Sequence, residues 1–524
     1  MGSTVYLHVG QAGNEIGGAF WRLASAEKPP KRWLFDERGR CRAVLVDTEP
    51  KVVRGVVRAV GEERVHPRCA LVEQSGRGNN WAMGFHGTAG AGGGGGSGRS
   101  GIGADGPSIA DATLEALRWQ WERCDWCNGL VLCHALGGGT GSGLGSRLLQ
   151  ELRDEHPRHY ITSLAVGPFA GGELPLSSYN ATLSLAHLQE HCDSVLLFDN
   201  AQLLRQLQAA AATASHAAAK TGTPPRLCMA QLDAYVANAL AGLTFPTDGV
   251  RGRRPFDAGE LVGSVCPMGS LKFLSLATAP SAPRVAPELG SVATANHTAN
   301  GAVGPPMASK PPAKPPATKP PPPWSAVVAE AAERTPRYDL HQRPVVTLGT
   351  LAVARGVGVE PPDVRSQARL QQLLGPSPVT PRPLAWQLSA SAATALPAQG
   401  TPRTLSLASN RCSVAPLLEQ TLLRVQLQLA NRAYLHHYER YGVGADEITS
   451  RVELVQRVVD DYNAAAARAG GQAGARRGPP SAVGVARDSP SAKLAAQIEH
   501  GGGGGHEVVD DGAVADERAC PASA

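Results

Sequence analysis

The chain has few aromatic residues and no long apolar run. Phenylalanine, tryptophan and tyrosine make up only 5% of its 524 residues, although 42% of the residues are hydrophobic. No stretch of about 18 apolar residues occurs, which excludes a membrane-spanning helix. The net charge is only +5, and lysine and arginine form no dense block, so the electrostatic footprint of a nucleic-acid-binding protein is missing.

The chain also lacks a secretory pattern. The first residues already alternate as a strand does, without the apolar segment of a signal peptide, so we expect a cytoplasmic or cytoskeletal protein. The ten cysteines follow no secreted framework, which favours reduced thiols. Cys124 and Cys127 have the Cys-x-x-Cys spacing of zinc and redox sites. They lie in a Trp-rich stretch that we predict to be helical, and no second ligand pair follows, so we favour no such site.

Glycine and proline are abundant, with 60 and 41 residues. They concentrate in a Gly/Ser-rich insert at residues 86–107, a Pro/Ala/Lys tract at residues 279–323 and a low-complexity tail at residues 464–524. Such segments bury too little apolar surface to fold, and we predict that they are disordered and dispensable for folding. Another irregular stretch is predicted from about Val359 to Pro402.

Strand and helix patterns alternate in the first half of the chain. Val5, Leu7 and Val9 alternate with polar residues, and apolar residues then recur at helical spacing as far as Leu23. Later strand patterns end near Asp47, Cys133 and Phe198. This alternation predicts an α/β fold with a doubly wound, mostly parallel sheet, whose ligands bind beyond the carboxyl ends of the strands.

One glycine-rich loop stands between a predicted strand and a predicted helix. It comprises Gly137, Gly138, Gly139, Thr140, Gly141, Ser142 and Gly143. Glycines there allow backbone N–H groups to approach phosphate oxygens, and we expect Thr140 and Ser142 to add hydroxyl donors. The loop lacks the Lys-Ser/Thr of a Walker loop and the spacing of a dinucleotide fingerprint. A flexible linker is the alternative, but the flanking strand and helix argue against it.

The sequence GGGTGSG resembles the signature of the tubulin family. The resemblance covers about residues 1–275 and, more weakly, residues 324–463. The other matching segments are Val9–Gly17, Asp47–Pro50, Gly78–Gly84, Tyr179–Ser184 and Phe198–Asn200. The resemblance implies a GTP or GDP site that includes Gly10, Gln11, Ala12, Asn79, Asn80, Gly137 to Gly143, and Asn200, with Mg²⁺ near Asp47 and Glu49.

Each of these residues also has a purely structural interpretation. Gln11 and Asn14 would cap the first helix, Asp47 and Glu49 would be a solvated strand end, and Asn79, Asn80 and Asn200 would be turn residues. The pairing of Asp47 with Glu49 suits a hard cation that keeps most of its waters.

The sequence departs from the tubulin pattern on the base side of the expected site. Met229 stands where tubulins usually stack an aromatic ring on guanine, and Asp233 stands where an asparagine usually reads it. A carboxylate still accepts hydrogen bonds from guanine N1–H and the exocyclic amine. Ser177 replaces a common acidic residue at the ribose, for which Glu173 is a candidate substitute.

Within the family, the chain most resembles the delta branch. The segments that carry this resemblance are Arg42–Val52, Gly78–Ala82 and Ala433–Tyr438. It implies a GTP-binding cytoskeletal subunit of centriole and basal-body triplet microtubules, acting in cilium or flagellum assembly. Its partners would be other tubulins or centriolar proteins, in a hetero-oligomer or polymer. The alternatives are an epsilon-like or other divergent tubulin, a nucleotide-locked module that never hydrolyses GTP, and a soluble GTPase.

The resemblance also implies a catalytic role for Glu260. In tubulins the matching loop acts on the nucleotide of the adjoining subunit, so Glu260 would act in trans. The alternatives are a solvated acid at a helix start and a role for nearby Asp257. The implied domains are a GTP-binding domain at residues 1–228, a core helix and intermediate domain at 229–405, and C-terminal helices at 406–463.

Overall fold

The computed structural model describes residues 2–26, 33–87, 108–168, 174–214, 227–249, 252–280, 322–335, 337–356, 362–374, 384–389 and 403–475. Most of the three segments predicted to be disordered lies outside these ranges, and so does Glu173. Apart from the last three helical residues, the described residues belong to one unit, Met1–Gln472. The predicted domain divisions at residues 228 and 405 stay predictions.

The described part of the chain contains twelve strands. They are β1 Gly2–Val9, β2 Ala43–Asp47, β3 Ala70–Val72, β4 Trp126–Ala135, β5 Ile161–Gly167, β6 Ser194–Asp199, β7 Thr247–Gly249, β8 Gly252–Arg254, β9 Phe273–Ala279, β10 Thr347–Gly356, β11 Leu384–Ser389 and β12 Arg403–Arg411. Ten of them form one sheet in the order β11-β10-β12-β9-β6-β5-β4-β1-β2-β3, and β7 pairs with β8. Strands β1 to β6 are all parallel, whereas β12 runs antiparallel to both β9 and β10. The predicted α/β fold with a mostly parallel sheet is confirmed.

Helices cover both faces of this sheet. They are α1 Gly10–Ala26, α2 Pro50–Val60, α3 Trp81–His86, α4 Ile109–Glu122, α5 Gly145–Glu155, α6 Ser177–His191, α7 Asn200–Ala214, α8 Met229–Thr244, α9 Ala258–Val265, α10 Trp324–Glu333, α11 Val364–Leu374, α12 Val414–Ala430, α13 His436–Glu439 and α14 Ala445–Ala475. Within the described ranges, no helix is both long and apolar enough to cross a membrane.

Strand β1 shows why the sheet is covered on both sides. Val5, Leu7 and Val9 pack into a core with α5, α6, α12 and α14, whereas Tyr6 packs into a second core with α1 and α8. All four side chains are fully buried. Burial on both faces is typical of a central strand of a parallel sheet. Because β2 and β4 run parallel to β1, the carboxyl ends of all three strands lie at the same edge of the sheet.

Two local predictions are wrong. Residues 359–402 are not wholly irregular, because α11 and β11 lie within them. Helix α11 buries Ser366, Leu370 and Leu374, which are spaced by four residues along one face, and the flanking glycines and prolines hid this stripe. Cys127 lies on strand β4 rather than on a helix.

The C-terminal helix also continues beyond residue 463, where we expected the tail to begin. Helix α14 extends to Ala475, and Ala465 is buried against the main core. Alanine is the strongest helix former, so the alanine-rich sequence after Tyr462 prolongs the helix instead of ending it.

Candidate functional site

Five neighbouring parallel strands bring their carboxyl ends to one edge of the sheet. The chain leaves β1 at Gly10, β2 at Thr48, β4 at Leu136, β5 at Pro168 and β6 at Asn200. Segments that are far apart in the sequence therefore meet there, as expected for the ligand-binding edge of a parallel sheet.

The glycine loop follows β4 and joins it to helix α5. Thr140–Leu144 forms one π turn that runs directly into α5. The Gly143 N–H donates to the Gly139 carbonyl at 2.8 Å, and the Ser142 hydroxyl donates to the Gly138 carbonyl. The Ser142 hydroxyl, expected as a donor to a ligand, is thus committed to the loop itself.

The loop is packed tightly on one side and open on the other. Gly10 has φ +74°, and a Cβ there would lie 2.8 Å from Gly141 N. A Cβ on Gly143 would lie 2.2 Å from the Trp81 carbonyl oxygen. By contrast, a Cβ on Gly138 would have no protein atom within 4 Å. The open side at Gly138 is therefore where a ligand has room to approach the loop.

His134 fixes the position of the loop from inside the sheet. The side chain is fully buried on β4, with Nδ1 2.8 Å from the Gly141 carbonyl oxygen and Nε2 2.9 Å from Ser163 Oγ. Because a carbonyl oxygen only accepts, Nδ1 must carry the proton, and Nε2 accepts from Ser163. Burial lowers the pKa of His134 to about 4, so the imidazole is neutral. Sequence reasoning missed this residue, because a lone histidine on a strand gives no signal.

Asn180 links three segments of the site. Its amide nitrogen donates to the carbonyl oxygens of Asn79 at 2.7 Å and Gly137 at 2.8 Å. Its oxygen accepts from the Trp81 N–H at 2.8 Å and the Tyr438 hydroxyl at 2.6 Å. All four hydrogen-bonding positions of this fully buried amide are filled, so Asn180 acts as a structural hub. Its place in a motif that matched tubulins was the available signal.

The side chain of Asn80 is also committed to the chain. Its oxygen caps α3 by accepting from Ala82 N–H at 2.8 Å, and its nitrogen donates to the His437 carbonyl at 2.8 Å. Asn79 is exposed and has φ 49°, a left-handed conformation that asparagine tolerates. The structural interpretation fits Asn80, whereas Asn79 leaves its side chain available at the edge of the site.

Asp47 and Glu49 lie beside the glycine loop. Thr48 Oγ1 is 2.6 Å from Thr140 Oγ1, which joins the two segments. Asp47 is 3% exposed, and its Oδ1 accepts from the Thr48 N–H, but Oδ2 is buried without a hydrogen-bond partner. Burial raises the pKa of Asp47 to about 6. Glu49 is exposed.

These two carboxylates suit Mg²⁺, which needs few protein ligands, better than a metal ion whose ligands are all protein side chains. In the described ranges, no group of three or more His, Cys, Asp or Glu side chains forms a metal cluster. Mg²⁺ typically keeps several waters and takes one or two carboxylates plus substrate phosphates. The orphaned Oδ2 of Asp47 is a ready ligand of this kind.

Helix α1 begins directly after β1 and presents its first residues to the site. Gln11 is exposed and donates to Glu15 Oε1 at 3.1 Å, and Ala12 is half-buried. Asn14 is fully buried and donates to the carbonyls of Gly10 and Val46, both at 2.9 Å, so it ties β1 to β2. The Gln11 side chain thus lies at the surface, whereas Asn14 supports the backbone.

Asp233 and Met229 lie on the first two turns of α8. Met229 is 48% exposed, and Asp233 is 8% exposed. Burial raises the pKa of Asp233 to about 7, with Glu15 on α1 adding like charge and a hydrogen bond. Two facing carboxyl groups resist ionising together, so this pair holds a proton near neutral pH.

Asn200 is the first residue of α7 and is largely buried. The preceding Asp199 accepts from the Gln202 N–H at 2.5 Å and caps the helix, so Asn200 itself is not needed as the cap. Glu173 lies outside the described residues. The structure therefore places Asn200 at the site edge but does not test Glu173.

Glu260 lies in the first turn of α9, and its side chain is half-buried. Asp257 caps this helix by accepting from the N–H groups of Gly259 at 2.9 Å and Glu260 at 3.2 Å. Asp257, the alternative catalytic acid, is therefore engaged as a cap.

Comparison with known proteins agrees with this geometry. Residues 3–208 match the sequence model of the Tubulin/FtsZ family, GTPase domain. This segment is a Tubulin/FtsZ-family GTPase domain. It contains the glycine loop, Asp47, Glu49 and Asn200, so the predicted resemblance to tubulins is confirmed for this domain.

Two curated relatives are also similar to this chain. The tubulin beta chain of Aspergillus fumigatus is 30% identical over 229 residues, which cover 39% of this chain and 46% of the relative. The tubulin beta-1 chain of Colletotrichum graminicola is 30% identical over 309 residues, which cover 53% of this chain and 61% of the relative. The chain thus spans between about half and three fifths of the length of these tubulins.

Proposed function

We propose that the chain binds GTP or GDP at the carboxyl edge of the sheet and acts as a tubulin-like cytoskeletal subunit. The observation that carries this proposal is the glycine loop, which is locked against Gly10 and α3 but open at Gly138. The backbone N–H groups of such a loop at the start of α5 suit phosphate oxygens. The family of the domain supports a guanine nucleotide.

The residues around the loop divide into a phosphate side and a base side. Gly10, Gln11, Ala12, Asn79 and the glycine loop would hold the phosphates. Asn200, Met229 and Asp233 would hold the base. Mg²⁺ bound at Asp47 and Glu49 would supply positive charge against the phosphates.

Hydrolysis in this proposal depends on assembly. The guanidinium of Arg77, whose backbone contacts Gly139, is committed to Glu73 at 2.5 Å and to Ser75, so it does not serve as an arginine finger. Glu260 would instead orient the attacking water on the nucleotide of an adjoining subunit and accept its proton.

We further propose that the protein belongs to the delta branch and acts at centrioles or basal bodies. The segment Ala433–Tyr438, which carries part of that resemblance, lies against the nucleotide edge. The Tyr179 hydroxyl donates to the Ala433 carbonyl at 3.1 Å. Asn80 donates to the His437 carbonyl, and the Tyr438 hydroxyl donates to the side-chain oxygen of Asn180. The sequence of these segments and their position in the fold support the proposal. Localisation of the tagged protein to centrioles or basal bodies tests it.

The dependence of the GTPase rate on protein concentration tests the mechanism. An assembly-activated subunit gives a rate that rises more steeply than linearly with concentration. A linear rise would indicate a soluble GTPase, and a bound nucleotide that is never hydrolysed would indicate a locked module. Either result would overturn the interface mechanism.

A further inference from the structure

A cavity separate from the glycine loop contains two buried arginines. It has a volume of about 80 Å³ and lies between the end of β6, α7, α8, β9, the end of α10 and the end of β12. Arg334 and Arg411 line it, at 9% and 4% exposure. Burying two guanidinium groups in one cavity is costly unless negative charge balances them.

Arg334 has donors that the protein does not use. Its Nη2 reaches Glu330 Oε1 only at 3.4 Å, and the Glu330 side chain is 32% exposed, so the pair is weak. Its guanidinium carbon lies 5.7 Å from the centroid of the Tyr235 ring, a contact that fills no hydrogen-bonding position. Its Nε and Nη1 are buried without a hydrogen-bond partner. Such buried donors are rare in folded proteins, and a ligand in the cavity would satisfy them.

The rest of the lining adds positive potential and hydroxyl groups. Ser413 lines the cavity and stands before the 17-residue helix α12 without capping it, so the partial positive charge of that helix end is present. Arg411 bonds Thr347 Oγ1 through Nε at 3.3 Å, and burial lowers its pKa to about 10. Ser275 also lines the cavity.

Among the described residues, the lining contains one carboxylate, Asp199, which is already engaged. Its oxygen accepts from the Gln202 N–H at 2.5 Å, and Arg205 and Arg424 also lie near it. Asp199 therefore leaves the Nε and Nη1 donors of Arg334 without a partner. A volume of about 80 Å³ has room for a few waters or one small tetrahedral ion, but not for a nucleotide.

We propose that this cavity is a second anion site, which binds one small oxyanion of the phosphate class between Arg334 and Arg411. The bound ion would join α10 and β12 to the start of α7, whose first residue, Asn200, belongs to the proposed base side of the nucleotide site. Binding of the anion in the cavity would thus be coupled to the base side of the proposed nucleotide site.

Titration of the full chain with inorganic phosphate, at constant ionic strength, tests this site. We expect saturable binding by calorimetry and a phosphate-dependent rise in melting temperature. Arg334→Gln and Arg411→Gln should each weaken binding at least about tenfold, because each removes a charge-assisted hydrogen bond. Arg343→Gln, which changes an exposed arginine paired with Asp339, is the matched control and should bind normally.

Two further variants distinguish phosphate bound in the cavity from phosphate bound at the glycine loop. Arg334→Met should raise the melting temperature in chloride, because it removes a weakly paired buried charge, and should abolish the rise caused by phosphate. Gly138→Val should remove only phosphate that binds at the glycine loop, and should keep the saturable binding that Arg334→Gln weakens. Absence of saturable binding, equal binding in the Arg334 and Arg411 variants, or loss of binding only in Gly138→Val would overturn the proposal.

Discussion

The Tyr438 hydroxyl donates a 2.6 Å hydrogen bond to the side-chain oxygen of Asn180, and both side chains are fully buried. The two residues are 258 positions apart in the sequence. Asn180 in turn holds the carbonyl of Gly137, the first residue of the glycine loop. The C-terminal part of the chain is thereby connected to the glycine loop through one amide.

Changing Asn180 should therefore disturb the site and the fold together. Asn180→Asp replaces two donors with an oxygen that faces the carbonyls of Asn79 and Gly137, and we expect a loss of about 3 kcal/mol of stability. Tyr438→Phe should cost only about 1 kcal/mol, since the Asn180 oxygen keeps the Trp81 N–H. Urea unfolding measures both changes. Tyr434→Phe, at an exposed tyrosine, is the control, and equal stability of all three variants would contradict the hub role.

Substitution at Gly138 is the cleanest test of phosphate binding. A Cβ there meets no protein atom within 4 Å, whereas a Cβ on Gly141 would lie 3.1 Å from Ala135 N and would strain the protein itself. Gly138→Val should thus preserve the fold while lowering nucleotide affinity at least about tenfold, because phosphate contacts are lost. Equilibrium binding of a fluorescent GTP analogue measures this. Gly269→Val, at another unobstructed loop glycine, should bind normally, and undiminished binding by Gly138→Val would place the ligand elsewhere.

His134 should make the protein sensitive to mild acid. Its pKa is about 4 in the folded state, and an unfolded histidine titrates near 6.5. The unfolded state therefore binds more protons between these values, so this contribution to stability is lost as the pH falls from about 6.5 to about 4. His134→Gln should be less stable than wild type by about 1 to 2 kcal/mol at pH 7.5, with a smaller difference at pH 5. A difference that stays constant with pH in urea unfolding would show that His134 does not titrate in this way.

Asp233 should make nucleotide affinity depend on pH near neutrality. Burial raises its pKa to about 7, and the ionised form is the one that accepts from guanine N1–H and the exocyclic amine. Affinity for GDP should thus rise as the pH increases from about 6 to about 8. Asp233→Asn should weaken this dependence, because an amide does not titrate in this range, whereas Asp47, with a pKa of about 6, still does. Parallel pH profiles for the two proteins would exclude Asp233 from the base side.

Glu260 should affect assembled complexes alone. Glu260→Ala should leave the nucleotide affinity of the protein itself unchanged and should slow hydrolysis only where subunits adjoin. In mixtures with wild type, the defect should appear on the nucleotide of the neighbouring subunit. Asp257→Asn is the matched control, since asparagine still caps α9 and the variant should hydrolyse GTP normally. Loss of nucleotide binding by Glu260→Ala itself would show a role in cis.

The sequence predicted those parts of the fold and site that local patterns encode. The alternation at Val5, Leu7 and Val9 and the glycines after β4 were sufficient to predict strands followed by loops and helices, and hence the mostly parallel sheet. The hydrogen bonds of His134, Asn180 and Tyr438 were not predictable from local patterns, because they join distant segments, although Asn180 lies in a motif that resembles tubulins. The hydrogen bond from the Ser142 hydroxyl to the Gly138 carbonyl was not predictable for the same reason, since it depends on the three-dimensional turn.

Guanine-nucleotide binding at the glycine loop is best tested by identifying the nucleotide released when the purified full-length protein is denatured. We predict GTP or GDP at about one molecule per chain, identified by ion-exchange chromatography, and a strong decrease in Gly138→Val. Release of adenine nucleotide, or of none from protein purified with Mg²⁺ and guanine nucleotide present, would contradict this prediction.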